Sequence, residues 1–384
     1  MSGIIMEINE AFILESIGLP ALAEIARQAA GANDLELLDW RVKQIGGGLG
    51  NPVSVGLYRV SGMGQDGDKR VAWSSILKVI QSPANAGWSG MGEGEDQTHW
   101  NYWKRELFVY RSGLLDGLPD GLLAPRCYGT VELAGNIACL WLEDVADVDE
   151  NAWTLDRFGL TARHIGRLNG RFIAEGLVPD YPWLSQNRIR QWAFGFPEWQ
   201  TASWEHPLAL ARFPMPESEA LRRMHSEKER FIARLDRLPQ TLCHGDTYPT
   251  NFKTRHSGDG RIKTVALDWA LASIAPVGFD LGQLVFGAHL NLAEFRLADI
   301  DRVLFESYLA GLRDSGCMTD SAHVRFGYTA SAALVITMFQ MFMLDTYIQQ
   351  TGSDGTAATG YPVPDECFEA AMATAAYELL KTIR

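Results

Sequence analysis

Apolar residues recur at helical spacing through "FILESIGLPALAEIARQAA", and the pattern stops near Gly31, so the first forty residues read as helical. The period then shortens. "LDWRVKQI" (38–45) and "PVSVGLYRVSG" (52–62) have strand character and are separated by the glycine-rich "GGGLGN" at 46–51. "RVAWSSILKVIQ" (70–81) predicts a third strand, reached through the turn "GQDGD". The Gly-rich, acidic stretch 82–100 reads as a loop. "NYWKRELFVYRSGLL" (101–115) returns to helical spacing, with Trp103, Leu107 and Tyr110 on one face. "PRCYGTVEL" and "NIACLWLEDV" then predict a hairpin turning through Ala134 and Gly135.

From about residue 152 the chain becomes mostly helical, with helical spacing in "TARHIGRLNGRFIAEG" and in "ALRRMHSEKERFIARLDRL". A hairpin spanning 241–269 interrupts the helices, which resume to the end. The most apolar stretch, 328–344, contains Thr, Ser and Gln and is bounded by Arg325 and Asp345, so it reads as a buried core helix rather than a membrane span. The division this suggests is a lobe over 1–142 with a helical extension over 1–37, a hinge at 143–146, and a helical lobe over 147–384.

Composition narrows the function. The 384 residues, 47% hydrophobic and 21% charged, are those of an ordinary folded protein. A formal net charge of −13 argues against a nucleic-acid surface and suits neutral or cationic small molecules. Five widely spaced cysteines without a CxxC pair suggest reduced thiols, and "MSGIIMEINEAF" lacks the features of a signal peptide. The expected setting is cytoplasmic, with neither nucleic acid nor membrane as a partner. Oligomeric state stays open.

Three sets of residues carry candidate chemistry. The run from Gly46 to Gly50 fits a hairpin loop or a flap over phosphates, and it lacks both the GxGxxG spelling and a following Gly-Lys-Ser/Thr. Lys78 lies on an otherwise apolar strand. With Glu106 on the next helix it can form an ion pair that aims an ammonium at nucleotide phosphates. "LCHGDTYPTNF" (242–252) sets Asp246 five residues before Asn251, and Asp268 ends the strand "IKTVALDW" 22 positions after Asp246. A strand, turn and return strand fit that interval, so both ends would share one edge of a hairpin. Two carboxylates and an amide are oxygen ligands suited to Mg²⁺, with Asp246 accepting a hydroxyl proton and Asn251 and Asp268 holding metal.

Taken together, "HGDTYPTN" and "LDWALASIAPVGFDLGQL" resemble the catalytic loop and metal-binding strand end of the aminoglycoside phosphotransferase and choline kinase family, relatives of the protein kinases. The likeness runs over roughly residues 40–290. It implies an α+β, bilobal, protein-kinase-like fold, with a small antiparallel β-sheet lobe carrying one helix and a larger, mainly helical lobe. It also implies ATP or GTP with Mg²⁺ as cofactors. Lys78, held by Glu106, would contact the α- and β-phosphates, and Gly46, Gly47 and Gly48 would cover them. The backbone of Glu143 and Val145 would bind adenine, with Leu142 behind. His244 would brace the catalytic loop, and Asp280 would be a buried, helix-capping aspartate.

In this family the acceptor pocket lies among the helices. Here these offer Trp183, Trp192, Trp199 and Trp204, and Met338, Met341, Met343 and Asp345. These residues fit either a sugar or quaternary-amine site or plain helix packing. The acidic run "EDVADVDEN" fits either a cationic aminoglycoside or a solvated cap. A small hydroxylated acceptor is the expected partner. An antibiotic-modifying kinase, a housekeeping metabolite kinase and an inactive nucleotide-binding module all share this framework. About ten residues between Asp268 and Asp280 leave little room for a peptide-binding activation segment.

Overall fold

The computed structural model describes residues 8–46, 51, 53–86, 95–147, 153–195, 204–351 and 366–383. The chain divides into two compact units, Met1–Leu118 with Leu123–Val148 and Lys253–Ala270, and Pro119–Leu122 with Asp149–Phe252 and Leu271–Arg384. The segment Lys253–Ala270 groups with the first unit, so the continuous second lobe expected from 147 onward is interrupted. Arg255 on this segment donates to Glu143 at 2.6 Å, and the Thr254 N–H donates to Asp147 at 2.9 Å.

The first unit is built on helix α1 (Glu10–Ala30) and strands β1 (Glu36–Gly46), β2 (Ser54–Asp66) and β3 (Lys69–Gln81). Helix α2 (Arg105–Arg111), the short strand β4 (Leu122–Leu123), and β5 (Cys127–Leu133) and β6 (Ile137–Glu143) follow. Five strands form an antiparallel sheet in the order β1-β2-β3-β6-β5. Asn9 caps α1 by accepting the Phe12 N–H at 3.1 Å, and Gly31 ends it in the left-handed conformation. Gly18, at φ 74°, breaks the helix two residues before Pro20, so α1 is two helical segments rather than one.

Strand alternation gives this sheet two apolar faces. Leu77, Val79, Cys139 and Trp141 pack with Ile13, Leu22 and Ile25 of α1. Ile80, Leu140 and Leu142 pack with Trp103 and Leu107 at α2. Each fully buried large side chain contributes roughly 1.5–3 kcal/mol. Helix α2 covers only seven residues of the predicted 101–115; the chain turns before Arg105, and Gly113 at φ 73° follows its end.

The second unit is helical: α3 (Leu155–Glu175), α4 (Arg188–Gly195), α5 (Pro207–Arg212), α6 (Glu219–Ser226) and α7 (Lys228–Leu235) precede strand β7 (Gln240–Cys243). After β8 (Phe252–His256), β9 (Ile262–Ala266) and β10 (Ser273–Pro276) come α8 (Phe279–Asn291), α9 (Leu297–Asp314), α10 (Ser321–Thr351) and α11 (Phe368–Thr382). The helical spacing over 220–238 is realised as two helices, because Glu227 leaves the helical region at φ −102°, ψ 17°. The predicted hairpin over 241–269 is also corrected: β8 neighbours β9, but β7 pairs antiparallel with β10. Helices α3 and α9 approach closely where a Cβ on Gly311 would strike the Arg163 carbonyl. Helix α10 is long and apolar enough to cross a membrane, but its most apolar window is mostly buried in the protein, as suits a core helix.

Candidate active site

Lys78 follows from the alternation on β3. The residues on either side, Leu77 and Val79, face α1, so Lys78 shares the opposite face with Ile80 and meets Glu106 on α2. Its ammonium lies 2.5 Å from Glu106 Oε2 and 2.8 Å from Asp268 Oδ1. Burial alone would lower the Lys78 pKa, but the carboxylates of Asp268 and Glu106 outweigh it and raise the value above that of free lysine. Burial raises the Glu106 pKa against the pull of Lys78.

Glu106 also accepts the Trp269 N–H at 3.2 Å, so one buried carboxylate fixes both the lysine and the backbone beside Asp268. Asp268 itself sits at φ 55°, a left-handed conformation that costs a non-glycine residue about 1–2 kcal/mol. Arg105, fully buried and absent from the sequence-derived site, donates to the Ala270 carbonyl at 3.2 Å and to the Trp100 and His99 carbonyls. Lys78, Glu106 and Asp268 are therefore brought together in the first unit.

His244, Asp246, Asn251 and Asp280 come together in the second. The Asp280 carboxylate accepts the N–H groups of His244 and Gly245, each at 2.9 Å, and is fully buried. It does not cap α8, whose N-cap is Gly278; it anchors the turn that leaves β7. Asn169 on α3 joins this network, donating to the Leu242 carbonyl at 2.8 Å and to Asp280 at 3.2 Å and accepting from Tyr308 at 2.6 Å. Thr247 donates its hydroxyl to the Asp280 carbonyl, and its N–H donates to Gln283 at 3.0 Å. Gly245 turns at φ 84°, where a Cβ would collide with the Leu271 carbonyl; only glycine fits the loop there.

Within the loop, the His244 Nδ1 accepts the Asp246 N–H at 3.2 Å, which fits a bracing role for this buried ring. The Asn251 amide nitrogen donates to Asp246 Oδ2 at 2.9 Å and to the Asp246 carbonyl at 3.0 Å. That orientation commits the amide nitrogen to Asp246 and leaves the amide oxygen, a hard donor, to other partners. Among the described residues no three His, Cys, Asp or Glu side chains cluster as a metal cage, whereas Mg²⁺ needs only one or two protein carboxylates beside phosphates and water.

The remaining sequence-derived positions fall as follows. Gly46 ends β1, while Gly47 and Gly48 lie outside the described residues. Leu142 packs in the α2-side core and accepts the Ser75 hydroxyl at 2.9 Å through its carbonyl. Glu143 donates its N–H to the Arg126 carbonyl at 2.8 Å, and Val145 is half-buried after β6.

In the described part of the acidic run, Glu143 pairs with Arg255, Asp144 with Arg59 at 2.6 Å, and Asp147 accepts from Thr254. Trp183 and Trp192 are buried, and Trp183 stacks on Tyr181 at 4.8 Å. Trp204 packs edge-on against Phe213 at 5.5 Å, and Trp199 lies outside the described residues. Met338 and Met341 are core residues, Met343 is exposed and Asp345 is half-buried.

The model of the Phosphotransferase enzyme family (APH) matches residues 142–314. That stretch runs from the end of β6 through the 244–251 loop to α9. The chain is similar to that family over this stretch. A search of curated proteins finds no match. Among solved structures, the chain is similar to the amicoumacin kinase hAmiN in complex with AMP-PNP, Ca²⁺ and Ami, at 14% identity over 97% of this chain and 96% of that one, with a TM-score of 0.42. It is similar to the choline kinase LicA from Streptococcus pneumoniae at 15% identity, covering 94% and 99%, with a TM-score of 0.40. Spectinomycin phosphotransferase APH(9)-Ia, in complex with ADP and spectinomycin, gives 13% identity, 94% and 98% coverage, and a TM-score of 0.45. Likenesses at this level say nothing of substrate. The matched stretch includes Asp246, Asn251, Asp268 and Asp280, whereas Lys78 and Glu106 lie before it.

Proposed function

We propose that the chain is a small-molecule kinase that transfers the γ-phosphoryl group of ATP or GTP to a hydroxyl of a small acceptor, such as an aminoglycoside or another antibiotic. The observation that carries this reading is Lys78, a buried ammonium held between the buried Glu106 and the partly exposed Asp268. Such an ammonium is fixed, charged and ready to donate to phosphate oxygens. Asp246 would take the proton of the acceptor hydroxyl as its oxygen bonds to phosphorus and the bond to the β-γ bridging oxygen breaks. Asn251 and Asp268 are the residues that would hold Mg²⁺, and the metal would supply charge neutralisation at the phosphates. The backbone of Glu143 and Val145 would receive the base.

One observation favours a second reading, a metabolite kinase acting on a neutral sugar or an amino alcohol. Glu143, Asp144 and Asp147 already have arginine or backbone partners, which removes the described part of the acidic run as a dock for a polycation. Both readings meet one experiment: incubation with ATP or GTP and Mg²⁺ against pooled aminoglycosides, other hydroxylated antibiotics, sugars and amino alcohols, with mass spectrometry of the pool. A phosphorylated member that is absent with Asp246→Asn supports the kinase and separates the two readings by its class. No nucleotide binding and no product in any pool sinks both.

A further inference from the structure

Arg188 opens α4 and is buried, with 2% of its surface exposed. A short relay within the second unit places it. Ser185 bridges Ser273 on β10, and the Ile274 N–H donates to the Ser185 carbonyl at 2.8 Å. Strand β10 pairs with β7 so that Ser273 stands opposite Cys243. A few residues past Ser185, Arg188 reaches the turn that leaves β7, where its Nη1 donates to the carbonyls of Gly245 and Leu271. The guanidinium carbon lies 5.5 Å from the Trp192 ring and 5.4 Å from the Phe279 ring.

The rest of the group is bare. Its Nε and Nη2 are buried without a hydrogen-bond partner, and among the described residues no carboxylate forms an ion pair with it. Burial pushes its pKa down while the nearby Asp246 and Asp280 pull it up, and a guanidinium remains a cation under either influence. Burying a cation without a direct ion-pair partner is costly, and an apolar side chain of similar volume between Trp192 and Phe279 would hold the same helix in place at less cost. A charge kept at that expense beside a loop carboxylate calls for a function.

We propose that Arg188 is a positioning residue for phosphoryl transfer: it clasps the Gly245 and Leu271 carbonyls and holds a fixed positive charge beside Asp246. This rests on the phosphotransferase reading. The arginine fixes the turn that carries Asp246. Its charge offsets the negative charge that gathers near that carboxylate when a phosphoryl group is transferred.

The test uses the full chain with ATP or GTP, MgCl₂ and the pooled hydroxylated compounds, and it follows nucleoside diphosphate formation, the dissociation constant for the nucleotide and the melting temperature. Arg188→Gln keeps a donor for the carbonyls but loses the charge. It should lower kcat about tenfold or more while KM for the nucleotide stays within about twofold. Arg188→Lys keeps the charge and should return kcat to within about threefold of the wild type. A glutamine variant with wild-type kcat overturns the proposal and leaves the kinase reading standing. Equal losses in both variants, tracking equal losses of melting temperature, overturn it in favour of a purely structural clamp. Should Arg188→Gln not stay folded, Arg188→Lys decides alone: a folded lysine variant more than about a hundredfold slower overturns the proposal. If the wild type binds neither ATP nor GTP and forms no product in any pool, the kinase reading fails and this inference falls with it.

Discussion

Lys78 and Arg212 are both buried cations bound to carboxylates, yet their surroundings differ in charge count and exposure. Arg212 donates to Glu369 at 2.6 Å, and both side chains are at most 2% exposed, so one charge cancels one charge in the dry interior of the helical unit. Lys78 meets two carboxylates, and the second, Asp268, is 40% exposed and held in a left-handed conformation. The first arrangement is closed and balanced. The second carries a surplus negative charge at a strained, accessible residue, as expected where a cation or a phosphate-bound metal is to be received. A buried ion pair is therefore informative by its imbalance rather than by its burial.

Substitutions test that contrast. Asp268→Asn keeps the side-chain shape and tolerates the left-handed backbone, so nucleotide turnover should fall about 10³-fold while the melting temperature hardly moves. A fall in stability matching the fall in rate would place Asp268 with Arg212 as a structural residue. Arg212→Met leaves Glu369 buried and unpaired and should cost about 3 kcal/mol in denaturant unfolding, with turnover per folded molecule unchanged. The double change Arg212→Met with Glu369→Leu should recover most of that loss. Asp280→Ala removes the acceptor of two loop N–H groups. It should cost about 2 kcal/mol and lower turnover together with stability, standing between the two extremes.

The smallest effect concerns pH. Burial, reinforced by Arg167, lowers the His164 pKa to about 4 from 6.5. A histidine kept neutral by folding contributes stability that is complete above the unfolded value and is lost as pH falls from 6.5 toward 4. Lys78, with its raised value, keeps its contribution throughout that window and loses it only at alkaline pH. Melting temperature followed from pH 7 to pH 4 should therefore decline less in His164→Gln than in the wild type.

Local pattern made much of this legible. Strand alternation around Lys78 and the short interval between Asp246 and Asn251 were readable because each depends on neighbours within a few residues. The partners that hold these groups were not. Asn169, Arg188 and Gln283 act on the 244–251 loop from α3, α4 and α8, and nothing in their own neighbourhoods distinguishes them from ordinary helical polar residues. The break at Glu227 lies inside an unbroken helical pattern, and β7 chooses β10 over the nearer hairpin through tertiary packing. The acidic run stayed open between a cationic dock and a solvated cap because the partners of Asp144 and Glu143, Arg59 and Arg255, come from β2 and β8, distant in sequence.

The most direct test of the Lys78 cluster is calorimetric titration of the full chain with ATP and with GTP, with and without MgCl₂, beside Lys78→Met. Saturable, Mg²⁺-dependent binding of at least one nucleotide, weakened about tenfold or more by Lys78→Met, is the expected result. Equal binding by the variant, or no binding by a folded wild-type chain, would show that Lys78, Glu106 and Asp268 form a structural cluster and not a nucleotide site.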